Sequence, residues 1–236
     1  MVKTNVFIGL SLPEAAELIR DEGERMNKGN PWAGSDKVYD QLRARLGFWR
    51  AIGANDAVIS WLGYGVPMRF HREPPYKVFP NHGCTDDDMV AYVKSDFKEN
   101  VDTGCFILAP PKSVKVSNPI LCIRQGHKCR RCDDCRHCNS YQANPKFKMD
   151  SVKRDVPNLV RPGNIEKTED LKKAYYRVPV TKAAMPYLAS CFEGRFYMSM
   201  VMLFGMCQAP FYFTKICRPI VRLFGALKTP ALNYVY

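Results

Sequence analysis

One carboxylate stands among three cations in Asp170-Leu-Lys-Lys-Ala-Tyr-Tyr-Arg-Val-Pro-Val180, with Lys172, Lys173 and Arg177 around it. The stretch reads as a strand carrying an acid, followed by a turn. Further on, Leu203-Phe-Gly-Met-Cys-Gln-Ala-Pro210 reads as a loop broken by glycine and proline. It opens an amphipathic helix whose apolar face is Phe211, Phe213, Ile216, Ile220, Leu223 and Phe224. An acid at a strand end facing a glycine-containing loop suits a divalent metal and a phosphate-bearing substrate. A third stretch supplies cations. Asn118 to Arg124 reads as a strand, Gln125-Gly-His127 as a hairpin turn and Lys128 to Asn139 as the return strand. Arg124, Lys128 and Arg130 line this ribbon and form a candidate triphosphate clamp.

The same return strand carries Cys129, Cys132, Cys135 and Cys138 at every third position. C-x2-C-x2-C is an iron–sulfur spacing and paired C-x2-C a zinc spacing. A tetrahedral site takes two knuckles separated by a loop, and this run leaves no room for one. The reading preferred here is four thiols acting as small apolar side chains. Cys122 on the facing strand is a further sulfur, so a zinc or iron–sulfur module stays the alternative. Asp86, Asp87 and Asp88 open a helix and read as complement to its dipole, not as ligands.

Order and spacing resemble motifs A and B of the reverse transcriptase palm, in the form found in DIRS-like tyrosine-recombinase retrotransposons. That family writes motif A as D-L-K-x-A-Y-x-x-x-P and motif B as L-P-F-G-L-x-x-A-P. Its fingers hairpin reads roughly K-x-R-x-x-x-D-x-R-x-x-N, which here is Lys128, Arg130, Asp134, Arg136 and Asn139. Pro145-Lys-Phe-Lys-Met149 matches its P-K-F-K-M. The phrases Leu46 to Ile52 and Val58 to Pro67 are similar to its segment upstream of the polymerase. The resemblance covers roughly Gln41 to Tyr236. It implies an α+β fold, the fingers and partial palm of a right-hand polymerase, with an antiparallel palm sheet, packed helices and a helical N-terminal region.

The resemblance also implies roles. Asp170 becomes the motif A ligand of Mg²⁺ (or Mn²⁺) and the catalytic acid. Lys128 and Arg130 meet the triphosphate, Tyr175 is the steric gate beneath the sugar, and Phe204 and Gly205 line the incoming nucleotide and template. Partners are an RNA or DNA template with primer, and deoxynucleoside triphosphates. The family closes its site with a Y-x-D-D hairpin. This sequence reads Leu232-Asn-Tyr-Val-Tyr236 at its end, where Tyr234 or Tyr236 looks like the start of that motif. One carboxylate does not hold two magnesium ions, so residues 1–236 alone are expected not to polymerise. Glu169, Lys173, Leu203, Arg131 and Asp133 depart from the family pattern. A catalytically dead nucleic-acid-binding remnant is the competing class.

The rest of the chain must position these stretches. Its 236 residues suffice for one large or two small domains, burying roughly 70% of the unfolded surface. Of the net charge of +12, Lys112 to Lys182 supplies +10, from 17 Lys and Arg against 7 Asp and Glu. Such concentration is the footprint of a polyanion partner. Ser11 should cap a helix from Pro13 to Asn27, with Glu14 completing a capping box. Asn30 to Gly34 reads as a linker, Asp36 to Leu62 as helical, and His71 to His82 as extended. Thr85 is the predicted cap of a helix running to about Glu99, Val101 to Ser117 a strand-and-turn region, and Ser151 to Leu159 a short helix. The expected division is 1–35, 36–100 as a helical upstream region, and 101–236 as fingers and partial palm. No secretory signal is visible, which points to an intracellular, reducing setting. The apolar run Phe196 to Met206 is cut by Gly205, Gln208 and Pro210, and reads as strand, loop and helix instead of a membrane span.

Overall fold

Helix α1 (Leu12–Asn27) starts where its capping box starts: the Ser11 N–H donates to Glu14 Oε2 at 2.8 Å and the Glu14 N–H to Ser11 Oγ at 3.5 Å. The structure, a computed structural model, describes residues 4–83, 86–126, 128–159, 163, 170–229 and 231. The expected helical stretch from Asp36 to Leu62 is broken into 3-10 turns at Val38–Asp40 and Arg43–Arg45, then α2 (Leu46–Ala51) and α3 (Asp56–Tyr64). Gly53 at φ 82° reverses the chain between them, and Asn55 Oδ1 accepts from the Val58 N–H at 3.0 Å to start α3. α1 crosses α2 at glycines. A Cβ on Gly47 would lie 2.3 Å from the Gly23 carbonyl oxygen. Asn27 ties the crossing, donating to the Ala44 carbonyl at 2.9 Å and accepting from the Gly47 N–H at 3.0 Å.

The chain continues through β1 (Lys77–Val78), α4 (Asp87–Asp102), β2 (Phe106–Ala109), β3 (Val116–Ser117), β4 (Ile120–Gln125), β5 (Lys128–Asp133), α5 (Arg136–Asn139) and α6 (Val152–Leu159). It ends with β6 (Ala189–Phe192), β7 (Arg195–Ser199) and α7 (Ala209–Ala226). Asp86 caps α4, accepting from the Met89 N–H at 2.8 Å; the predicted cap Thr85 lies outside the described residues.

Five strands form one sheet in the order β1-β3-β6-β7-β2. The expected antiparallel sheet holds only for β6, β7 and β2. β1 with β3, and β3 with β6, are parallel, so the sheet is mixed. Long crossovers cause this: α4 lies between β1 and β3, and the hairpin and α6 lie between β3 and β6. β4 and β5 form a separate antiparallel ribbon in register Ile120–Asp133 to Gln125–Lys128. The return strand is shorter than predicted. It stops at Asp133: Pro119, next in register, accepts from the Asp134 N–H at 2.8 Å but has no N–H to return the bond, and residues 136–139 become α5.

The strand expected to lead into Asp170 lies outside the described residues. The turn expected after it is present: Lys173 takes the left-handed conformation (φ 52°, ψ 42°) and Ala174–Arg177 coil into a 3-10 turn. Extended pairing follows at Pro179 and Val180, which bridge Val201 and Val66. The main core runs through all these parts, from Phe7 and Trp49 through Phe97, Phe106, Tyr175 and Met202 to Ile216 and Leu223. Helix α7 buries Phe213, Ile216 and Leu223 of its predicted apolar face.

Candidate nucleotide and nucleic-acid interface

The loop Leu203 to Gln208 is seated on the base of the hairpin. A Cβ on Gly205 would lie 2.1 Å from the Asp133 carbonyl oxygen and 3.0 Å from Cys135 Sγ. Glycine is thus demanded by close approach, since its φ is not positive. Asn139 clamps the same loop from α5: its Nδ2 donates to the Gly205 carbonyl at 2.8 Å and its Oδ1 accepts from the Cys207 N–H at 3.0 Å. Gln208, 1% exposed, donates to the carbonyls of Ala143 at 2.6 Å and Arg69 at 3.1 Å, and accepts from the Arg69 N–H at 3.1 Å. Asn139 belongs to the hairpin pattern and Gln208 interrupts the apolar run; both amides fix the loop. Gln208 sits inside an apolar run, and a lone amide there signals buried backbone partners.

The turn after Asp170 comes to the same place. The Tyr175 ring lies under Phe204, with centroids 4.8 Å apart, and against Phe213 at 5.5 Å. Tyr175 is 4% exposed and Phe204 68%. Burial, with a smaller contribution from Cys217, pushes the Tyr175 phenol up to about 12. Among the four aromatics Tyr175, Tyr176, Phe204 and Phe213, it is Phe204 that faces solvent.

On the hairpin, alternation places Lys128, Arg130 and Cys132 on one face and Cys129, Arg131 and Asp133 on the other. Lys128 and Arg130 are exposed. Arg124, the third expected clamp residue, pairs with Asp86 at 3.0 Å and Asp88 at 3.6 Å. The inner face was the unexpected one. Arg131, with its side chain 2% exposed, pairs with Asp96 of α4 at 2.7 Å and Asp133 at 2.6 Å. It also donates to the Tyr176 hydroxyl at 3.1 Å and stacks over Phe97 (4.4 Å) and Phe106 (4.9 Å). Burial alone would lower the Arg131 pKa; Asp133, Tyr176 and Asp96 outweigh it and raise it, so the guanidinium stays charged. Ser190 of β6 donates to Asp133 at 2.9 Å, carrying the network into the sheet.

The cysteine run is dispersed by the same geometry. Three residues apart on a strand means opposite faces, so Cys129 and Cys132 diverge. Cys135 enters the main core, while Cys138 packs with Val116 and Tyr187 in a separate cluster. Burial raises both thiols, Cys138 to about 12. Asp170 is exposed and lies at the edge of the described residues. Among the described residues no three His, Cys, Asp or Glu side chains are grouped to hold a metal ion. Among the described residues, Asp170 stands without the further carboxylates that a two-metal centre needs. Residues Tyr234 and Tyr236 lie outside the described residues, as do Glu169 and the hairpin's His127. Among the described residues no helix is long and apolar enough to cross a membrane.

No protein-family model matches this sequence, and neither does any curated protein. Among solved structures, the chain is similar to the protease–reverse transcriptase of prototype foamy virus. The native form matches with a TM-score of 0.53 and 14% identity, over 67% of this chain and 21% of that one. A CSH mutant of the same protein matches with a TM-score of 0.52, again at 14% identity and the same coverage. The chain thus corresponds to about a fifth of the length of those proteins. At this identity the likeness is one of backbone course. Over 67% of its length, the chain carries part of a reverse-transcriptase-like fold.

Proposed function

We propose that this chain forms the fingers and part of the palm of a reverse transcriptase of the DIRS-like retrotransposon kind, working in RNA-directed DNA synthesis. The observation that carries the reading is the convergence at Gly205. There the hairpin base, the turn after Asp170 and the Leu203–Gln208 loop touch one another. The exposed Lys128 and Arg130 take the triphosphate oxygens of the incoming nucleotide, Arg130 with a planar fork and Lys128 as a point charge. Phe204 offers a solvent-facing ring for base stacking. Tyr175 reaches a sugar only when the Phe204 ring above it swings away, and 68% of that ring lies in solvent. Asp170 would contribute one ligand to Mg²⁺ or Mn²⁺, which supplies charge neutralisation and an activated primer hydroxyl when bound. The described residues complete no metal cage, so no chemical step is derived through it.

The test is binding of a fluorescent deoxynucleoside triphosphate to residues 1–236 on a primed RNA. Lys128→Gln with Arg130→Gln is expected to weaken it at least tenfold, and an unchanged affinity would sink the assignment. The same chain with Mg²⁺ is expected to extend no primer; any extension product overturns the single-carboxylate argument. That single carboxylate also favours a second reading, a nucleic-acid-binding unit without catalysis, in which primed RNA binds and the triphosphate does not.

A further inference from the structure

A small cavity of about 190 Å³ lies on the chain just after Asp170, and its described lining includes no residue of the hairpin and neither Phe204 nor Gly205. Lys172, Lys173 and Arg177 line it together with Glu99, Thr103 and Cys105. Consecutive residues of an extended strand would point to opposite sides. Here Lys173 is left-handed (φ 52°), a conformation its Cβ disfavours, and Lys172 and Lys173 both line the cavity.

The charges do not balance. Lys173 Nζ pairs with Glu99 at 2.5 Å. Arg177 uses Nε on the Lys172 carbonyl at 3.2 Å and Nη1 on Gln41, both neutral acceptors. Among the described residues, Lys172 and Arg177 have no carboxylate partner, which leaves two positive charges around one small space. Arg177 also lines a second, open cavity of about 850 Å³, with Gln41, Leu42, Arg45 and Phe48. That volume falls within the roughly 300–1,000 Å³ of small-molecule sites. The smaller space suits a single anionic group, and the larger one offers an aromatic ring, an aliphatic side chain and amides.

We propose that the small cavity binds the phosphomonoester of a nucleotide, with its nucleoside in the larger cavity beside Phe48 and Leu42. This is a second phosphate site, separate from the hairpin face. The phosphate comes either from a free nucleotide or from the 5′ end of a nucleic-acid strand, since the recognising chemistry is the same.

Residues 1–236 are titrated with a 5′-phosphorylated single-stranded oligonucleotide, with its 5′-hydroxyl counterpart, with dTMP and with thymidine. At least one phosphorylated probe is expected to bind tenfold or more tightly than its hydroxyl partner. A preference confined to dTMP identifies the free nucleotide, and one confined to the oligonucleotide identifies the strand end. Lys172→Gln with Arg177→Gln is expected to abolish the preference and to lower the salt slope for the oligonucleotide by about 1.4. Lys128→Gln with Arg130→Gln is expected to keep it, although it weakens triphosphate binding in the assay above. If the double variant does not fold, Lys172→Gln alone decides: a threefold loss of preference supports the site, and an unchanged preference removes it. The proposal also fails if wild type shows no phosphate preference, or if the preference disappears with the hairpin variant only. Either of these leaves the triphosphate reading of the hairpin standing.

Discussion

Arg131 of the hairpin and Asp96 of α4 form an ion pair at 2.7 Å with the guanidinium almost wholly out of water. A charge so placed is held by its partners, and removing one of them leaves the others buried and uncompensated. Arg131→Met is therefore expected to destabilise the chain by about 3–5 kcal/mol in urea unfolding, with Asp133 and Asp96 left behind. Arg131→Met combined with Asp96→Leu and Asp133→Leu should recover most of that loss. If the single variant unfolds at the wild-type midpoint, the network is not structural.

Gly205→Ala puts a methyl group 2.1 Å from a backbone oxygen, which cannot turn aside as a side chain can. The loop or the hairpin base must shift, at a cost of about 1–3 kcal/mol. Gly225 in α7 is the internal control, because a Cβ there meets nothing within 4 Å. Gly225→Ala should stabilise by up to about 1 kcal/mol. Thermal melts of the two variants should move in opposite directions.

Asn139→Ala removes both partners of the Gly205 carbonyl and the Cys207 N–H. The expected loss is about 1–3 kcal/mol, with amide exchange speeding up at Cys207. Unchanged exchange at Cys207 would show that another group holds the loop.

Phe204→Ala and Phe213→Ala separate surface from core on one aromatic cluster. Phe213 is buried, and its truncation should cost about 3–5 kcal/mol. Phe204 is mostly in solvent, and its truncation should cost under about 1 kcal/mol. It should still weaken binding of a primed template. Equal stability losses for the two would contradict the exposed position of Phe204.

Alkaline pH should unfold the chain through its buried thiols. Burial raises Cys138 and Cys217 from 9.0 to about 12. A raised folded pKa means the folded state keeps a proton that the unfolded state loses. The stabilisation is complete below pH 9 and is lost as pH rises toward 12, by about 1 kcal/mol per pH unit for each thiol. Cys138→Ala with Cys217→Ala should flatten this stretch of the pH–stability curve. An equally steep curve in the double variant would move the cause elsewhere.

Much of this was legible in residue order. The Ser11–Glu14 box fixed α1, the apolar period fixed α7, and strand–glycine–strand fixed the ribbon β4–β5. What escaped were features decided by distant partners. Arg131 and Asp133 looked like misfits on a strand because their counter-charge Asp96 and the rings of Phe97 and Phe106 come from other elements. The parallel edge of β1 and β3 escaped for the same reason, since two-residue strands carry no periodicity. At the candidate site, Lys128 and Arg130 could be named from the basic ribbon itself, whereas Phe204 and Gly205 came only through the resemblance to the polymerase motif. The shielding of Tyr175 by Phe204 was not legible, because nothing in local order marks which of two neighbouring rings is covered. The left-handed Lys173 carries no glycine or asparagine to announce it.

The bridge between Val66 and Val180 has a bearing on how the chain is made. The Val66 N–H donates to the Pro179 carbonyl at 2.8 Å, and the Thr181 N–H to the Val66 carbonyl at 3.0 Å. Gly65 is pressed so closely on Val180 that only a hydrogen fits there. At roughly 5–20 residues per second, a ribosome needs on the order of 6–23 s to travel from codon 66 to codon 180. Throughout that interval α3 lacks this seam, and the faces it later covers stand open to solvent. Newly made chains should depend on holding chaperones during synthesis, far more than refolding of the finished protein would suggest.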